Sequence, residues 1–522
     1  MSQEQTGVVK TAGFLMLTIV ISRILGYARD VVIYYFNGQN SATDAYNAAF
    51  SIPDFLYMLL VGGALSSALI PVFSSYLAND QDEEAWRTAS VVTNLVLVLL
   101  LAGIAVGLLF TPSLVHLLVP RLPADAIDLT VKLTRIMFAQ TFFMALNGIS
   151  MGILHSHKHF TAPAVGSILY NLMIIVIGWW LHAAYNLGVM GFSIGVVVGA
   201  ATNLLVCIPP LIKVGLRYHP LFNLRHPGVK RVLSLMAPVL IGLSVTQFNL
   251  FVTQNLASGL PEGMISALRT AQRLMQVPIG VFAIAVAIAV FPTLTQQSAR
   301  GETAEFKRTM SLGIRTVVFI TLPSAVGLIA LRTPIVQLLF EQGAFDAHDT
   351  LATSQALLFY SLGLIGYSAQ QVLNRVFYAI QDTWTPVLAG ITTIFLNIGL
   401  SYWLVRPMGH QGLALAYSIA GLFNMIILLS LLRPRLGRIG GRQLLTSFTL
   451  TLFTSLLMGA VVSLAAGWLT GAVHFHPKVN QLLIVLTGLG VGALVFAGAS
   501  LLLKLEEAEM VKGLLLSRFR RT

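Results

Sequence analysis

The chain has almost no cysteine and little charge. Cys207 is the single thiol among 522 residues, which excludes an intrachain disulfide and any site built from several thiolates. Asp, Glu, Lys and Arg together make up only 10% of the chain, whereas a soluble globular protein carries about 25%. No Gly-x-x-x-x-Gly-Lys-Ser/Thr loop is present, so the chain is not expected to hydrolyse ATP itself. A His-Glu-x-x-His metal motif is missing too. His155, His157 and His159 alternate after an expected helix without carboxylates beside them, and they are not read as a metal site. Gly488, Gly490 and Gly492 sit inside an apolar run and are read as packing positions, not a dinucleotide loop. The expectation is a non-enzyme with no metal and no cofactor. Energy then comes from the membrane potential or a monovalent cation.

What the chain has is apolar length. Hydrophobic residues make up 56% of it, and runs of about 20 residues, enough to cross a hydrocarbon core about 30 Å thick, recur along it. The first run, Val8 to Phe36, contains Arg23, Arg29 and Asp30 and is not followed by an A-x-A-like cleavage site, so it reads as a retained helix. The expected fold class is an all-α integral membrane protein of about fourteen spans, at roughly 8–36, 45–77, 88–110, 128–154, 162–184, 188–212, 231–254, 264–297, 310–331, 351–379, 385–405, 410–432, 443–468 and 480–504.

The net charge of +12 is unevenly spread. Lys213, Arg217, Arg225, Lys230 and Arg231 share one loop, Arg433, Arg435, Arg438 and Arg442 another, and Arg518, Arg520 and Arg521 the tail, while Asn37 to Thr43 has none. Alternation of this kind follows the positive-inside rule, places both termini in the cytoplasm, and replaces the nucleic-acid reading that net charge alone would suggest.

An internal repeat organises the spans. Pro71, Arg87 and the Gly188-x-x-Gly191 turn recur as Pro292, Arg308 and Gly409-x-x-Gly412, each 221 residues later. Thr111-Pro112 recurs as Thr333-Pro334 and Pro163 as Pro386. Gly191, Gly195, Gly199 and Asn203 map onto Gly412, Ala416, Ala420 and Asn424. Small residues at four-residue spacing let helix backbones approach closely in lipid, and their register with prolines, arginines and an asparagine points to duplication. Six helices per copy is an even number, so the copies share one orientation. The expected organisation is a lobe at 1–222, a second at 223–436, and two additional helices with a tail at 437–522. The tail, Leu505 to Thr522 with Leu514 to Leu516, suits a short interfacial helix, although a simple membrane-surface tail is the favoured reading.

Charges inside spans mark function, since each costs about 2.5–3.5 kcal/mol on insertion scales. Arg23 and Arg29 flank Gly26 on the first helix and point about 120° apart. Asp30 is placed to pair with Arg29. Arg269 and Arg273 share one face of the eighth span. Guanidinium groups recognise phosphate oxygens in forked geometry, so these residues are expected to line a cavity for an anion. Arg135 and Arg375, nearer helix ends, are expected to be anchors.

The run Ser22-Arg23-Ile24-Leu25-Gly26-Tyr27-Ala28-Arg29-Asp30, followed by Ala42-Thr43-Asp44-Ala45, resembles the N-terminal signature of the MurJ (MviN) lipid II flippases. Arg273-Leu274-Met275 before Pro278, Leu339-Phe340 with Gly343 and Phe345, and Val372 to Tyr378 before Thr385-Pro386 extend the resemblance over the whole chain. It implies the multidrug/oligosaccharidyl-lipid/polysaccharide exporter fold and a flippase that moves undecaprenyl-diphosphate-linked peptidoglycan precursor from the inner to the outer leaflet. It also implies the bacterial inner membrane, lipid partners, and cell-wall synthesis proteins as candidate neighbours. Ser22, Arg23, Arg29, Asp30, Asp44 and Arg273 match the family's essential cavity positions, and the two extra helices its groove for the polyprenyl tail. The chain departs from some members in the uncharged stretch Tyr57 to Gly63 and in Gln276. Two other readings compete: a cation-coupled multidrug exporter of the same superfamily, which would favour a carboxylate-rich cavity, and a non-transporting scaffold for cell-wall machinery.

Overall fold

The computed structural model describes residues 3–62, 64–223, 225–437, 440–472, 476–510 and 512, and contains only helices among them. Arg438, Arg518, Arg520, Arg521 and the Leu514 to Leu516 part of the expected interfacial helix lie outside the described residues. Residues 506–510 are helical.

By contact the chain divides into two compact units. The first holds residues 1–266 and the short segment Gly343–Phe345. It contains α1 (Gln3–Asn37), α2 (Ser41–Ala49), α3 (Ser51–Leu60), α4 (Ala64–Leu77), α5 (Asp82–Leu118), α6 (Ala124–Ser156), α7 (Thr161–Tyr185), α8 (Val189–Lys213) and α9 (Pro227–Ala257). The expected span 45–77 is therefore not one rod. Asn40 starts α2 with a capping box shared with Thr43, and Pro53 has no N–H to offer the carbonyl of Ala49, so the helix restarts as α3. Leu69, Phe73, Trp86 and Leu154 bury a core for this part of the unit, while Ile33, Met137 and Phe192 bury a second core around α1, α6 and α8.

The second unit runs through residues 267–342 and 346–522. Its helices are α10 (Met264–Pro278), whose first three residues belong to the first unit, α11 (Ile284–Ala299), α12 (Thr303–Ala330), α13 (Arg332–Leu339), α14 (Ala347–Leu362), α15 (Leu364–Ala379), α16 (Trp384–Met408), α17 (His410–Leu436), α18 (Gly441–Ala472) and α19 (Pro477–Leu502). A π turn, Ile279–Ala283, joins α10 to α11 directly after Pro278, whose missing N–H frees a carbonyl one turn earlier. Between α14 and α15 the axis bends by 43° at Gly363. Ser418 Oγ donates to the carbonyls of Phe359 (2.6 Å) and Tyr360 (3.2 Å), which satisfies acceptors released by the bend.

Ten helices among the described residues are long and apolar enough to cross a bilayer, or eleven when α14 and α15 count as one bent span, against the fourteen expected. The segments α1, α2–α4 and α9 occupy the first, second and seventh expected positions.

Local geometry repeats with the sequence. Gly188 (φ 50°, ψ −134°) and Gly409 (φ 57°, ψ −133°) adopt the same left-handed turn before α8 and α17, a conformation that side chains disfavour. Pro163 and Pro386 are each the third residue of their helices. A side chain at Gly191 would press on Leu181, and one at Gly412 on Leu404, so both glycines allow the close α7–α8 and α16–α17 pairs. The copies diverge at the other proline pair: Pro112 lies inside α5, whereas Pro334 lies in the first turn of a separate helix, α13.

Candidate functional site

Helix α1 lies along α7, and three of its polar side chains define the first part of the site. Ser22 Oγ donates to the carbonyl of Ser167 at 3.4 Å. Asn171 Nδ2 donates to the same carbonyl at 3.0 Å, which fixes the amide so that Oδ1 accepts from Arg29 Nη1 at 3.2 Å. Arg29 also donates to Asp30 Oδ1 through Nε (3.2 Å) and Nη2 (3.0 Å). The side chains of Arg29 and Asp30 are 15% and 12% exposed, so the pair sits in partial shelter, where charge-assisted bonds hold geometry better than at a free surface. The expected Arg29–Asp30 pair is present.

Arg23 differs. It is exposed and has no hydrogen-bond or ion-pair partner among the described residues. Arg23 stands near the middle of the expected span 8–36, roughly 20 Å along α1 from either end of that span at about 1.5 Å per residue. An unpaired guanidinium at that depth calls for a wet or anionic surrounding.

Asp44 is engaged elsewhere. Fully buried at the start of α2, it accepts from Gly263 N–H at 2.8 Å through Oδ2, and from Ser266 N–H (2.8 Å) and Ser266 Oγ (2.7 Å) through Oδ1. These donors belong to the first turn of α10 and the residue before it, so the carboxylate caps that helix from across the chain. Asn47 Nδ2 adds a bond to Ser266 Oγ at 2.9 Å and one to Tyr34 Oη at 3.3 Å. The Gly343–Phe345 segment joins the same end of α1, with Ala344 N–H donating to Tyr35 O at 2.7 Å and Phe345 packing edge-on against Tyr34. Asp44 is thus not grouped with Arg23 and Arg29.

In the second unit, Arg269 and Arg273 lie one turn apart on α10, both half-buried. Arg375 stacks over the Phe291 ring at 5.2 Å and so packs inside its unit, while Arg135 is exposed. His157 lies against Phe73 and Trp86 with Nδ1 at 3.1 Å from Ile153 O, and His155 lies against Phe160. Both are packing residues.

Sequence reading missed Asn171 and Ser266. Asn171 is one asparagine among many, and nothing local ties it to Arg29. For Ser266 a signal existed: the Pro261-Glu262-Gly263 turn marks a helix start in need of a cap.

Residues 33–481 match the family model described as lipid II flippase MurJ. The lipid II flippase MurJ of Burkholderia cenocepacia is 33% identical over 431 residues, 81% of this chain and 83% of the relative. A probable lipid II flippase MurJ of Vibrio cholerae is 33% identical over 497 residues, 93% of this chain and 94% of the relative. A solved lipid II flippase MurJ in an inward closed conformation aligns with TM-score 0.79 and 29% identity, covering 93% of this chain and 98% of that one. An inward-facing multidrug resistance MATE family transporter of the MOP superfamily, 17% identical with TM-score 0.67 over 81% of this chain and 98% of its own, shares the fold. With its duplicated helical architecture and the matched stretch reaching from the end of α1 into α19, the chain belongs to the MurJ lipid II flippase family.

Proposed function

We propose that this protein flips lipid II, the undecaprenyl-diphosphate-linked peptidoglycan precursor, from the inner to the outer leaflet of the bacterial inner membrane, with both termini in the cytoplasm. The observation that carries the reading is the unpaired guanidinium of Arg23 deep in an apolar helix, one and a half turns from the Arg29–Asp30–Asn171 cluster. A lipid head bearing a diphosphate supplies the counter-charge that Arg23 lacks among the described residues. In this reading Arg23 and Arg29, with Arg269 and Arg273 on α10, bind the diphosphate while Ser22 and Asp30 orient the α1 cations. Asp44 acts through α10, by holding its first turn.

The lobes at 1–222 and 223–436 alternate access, and the helices at 437–522 accommodate the lipid tail. No bond in the substrate breaks. An inside-negative potential favours outward movement of the anion by about 2.3 kcal/mol per charge per 100 mV, and potential or a monovalent cation sets the direction. The multidrug-exporter alternative is disfavoured because the membrane-embedded ionisable groups of α1 and α10 are mainly cationic.

The test measures lipid II exposed on the outer face of cells that depend on an Arg23→Ala or an Arg273→Ala variant. Exposure should collapse in both while the protein still accumulates in the membrane. Normal exposure in both would refute the assigned roles.

A further inference from the structure

Away from α1 and α10, the second unit carries a basic recess separate from the cations assigned to the diphosphate. It lies where α12 begins, α18 begins and α19 ends, so three helix termini place it at the edge of the membrane spans. Two adjoining cavities of about 520 and 290 Å³ meet there, sharing Arg315, Gln443 and Glu506 on their walls. Five cations line them, Lys307, Arg308, Arg315, Arg442 and Lys504, against two carboxylates, Glu506 and Glu507.

The carboxylates are already taken. Arg315 donates through Nε to Glu507 Oε1 at 2.5 Å and through Nη2 to Glu506 Oε2 at 2.7 Å, and Ser447 Oγ donates to Glu507 Oε1 at 2.8 Å. That leaves Lys307, Arg308, Arg442 and Lys504 without an anionic partner among the described residues. A second observation also points to a ligand. Ser311, on the same face of α12 and only 8% exposed, is among the residues lining the larger cavity, and its buried hydroxyl has no hydrogen-bond partner among the described residues. Buried hydroxyls are rarely left unmatched. Four unmatched cations around an unmatched donor describe a pocket for a compact polyoxyanion.

We propose that this recess binds a phosphate group. Lys307 and Arg308 supply its charge-assisted bonds, Ser311 Oγ donates from the floor, and the Arg315–Glu507 pair forms a rigid wall. Leu312 and Leu450 line the cavities beside the cations, which suits a phosphodiester carried by an acyl chain, and basic pockets between spans take lipid headgroups in this way. Free inorganic phosphate offers the same chemistry without the chain.

The test uses the purified full chain in phosphatidylcholine nanodiscs, titrated in one arm with dioleoylphosphatidylglycerol and in the other with inorganic phosphate, with binding followed by native mass spectrometry and thermal melting. Binding should weaken at least tenfold in the double variant Lys307→Gln/Arg308→Gln and about threefold in Ser311→Ala, which removes only the unmatched hydroxyl and leaves the fold intact. A charge-matched double variant in the first turn of α9, Lys230→Gln/Arg231→Gln, should bind as the parent does. Saturation by the lipid alone identifies a headgroup as the ligand, and equal saturation by phosphate identifies the free ion. Undiminished binding in the Lys307/Arg308 variant, equal loss in the charge-matched control, or no binding in either arm overturns the proposal.

Discussion

Asp44 and Ser266 are 222 residues apart in sequence, yet Ser266 gives Asp44 Oδ1 both its backbone N–H and its hydroxyl, at 2.8 and 2.7 Å. A buried carboxylate with three donors to α10 and the residue before it acts as an N-cap supplied from a distant segment. Replacing it with Ala leaves those donors unmatched and costs about 2 kcal/mol, the upper end of cap losses. Ser266→Ala should cost about 1 kcal/mol. Thermal melting of the purified single and double variants should show that the effects do not fully add, because both remove the Ser266 Oγ to Asp44 bond. Strict additivity would show that the contact contributes nothing.

Arg29 depends on its shape as well as its charge. It reaches Asp30 with two nitrogens and Asn171 with a third, an arrangement that a lysine ammonium cannot reproduce. Arg29→Lys should therefore lower lipid II exposure roughly tenfold or more, since one charge-assisted bond contributes about 1.5–3 kcal/mol. Asn171→Ala should have a smaller effect in the same direction. A lysine variant with full activity would mean that charge alone is required.

Glu507 provides a pH-dependent contribution that can be isolated. Burial alone would raise its pKa, but the bonds from Arg315, its own backbone and Ser447, with the Arg315 charge, outweigh burial and hold it below the ordinary value of 4.5. A carboxylate with a depressed folded-state pKa stabilises the fold fully above that ordinary value, and the contribution is lost as pH falls through the lower, folded pKa. Melting temperature should fall between neutral pH and the acid side of 4.5 more steeply in the parent than in Glu507→Gln. Parallel pH profiles would show that the pair does not couple to folding. Arg315→Gln should be worse than Glu507→Gln, because it strands a buried charge, at a cost of about 3–5 kcal/mol.

Much of this architecture was legible because it is periodic. Apolar length gave the membrane class and most spans, and the 221-residue offset gave matched turns at Gly188 and Gly409 whose backbone angles agree. The α1 arginines stood out because charge in an apolar run is costly. What remained hidden depends on contacts between distant residues. Span 45–77 breaks at Phe50, where Pro53 leaves the Ala49 carbonyl without its helical donor, and α2 is buried along most of its length; hydropathy is blind to such a break. Asn171 and Ser266 acquire their roles from partners 142 and 222 residues away. Asp44 was placed in the cavity set by motif, whereas the bonds it makes in the fold run to the start of α10.

Two glycines separate tight backbone contact from mere sequence composition. Gly343 has φ of +63° and faces the Tyr35 carbonyl so closely that an added methyl would sit 2.2 Å from its oxygen. Backbone cannot swing aside as a flexible side chain does, and the left-handed conformation adds its own penalty of about 1 kcal/mol or more. Gly343→Ala should therefore displace the Ala344 N–H to Tyr35 O bond, loosen the segment from α1, and lower melting by several degrees. Gly490, in the middle of α19, has nothing within 4 Å of such a methyl, and alanine is favoured over glycine in a helix interior by about 0.8–1 kcal/mol. Gly490→Ala should melt at or above the parent temperature. If Gly343→Ala melts with the parent, the Gly343–Phe345 segment is not held against α1 by its backbone, and the Ala344–Tyr35 bond does not anchor it.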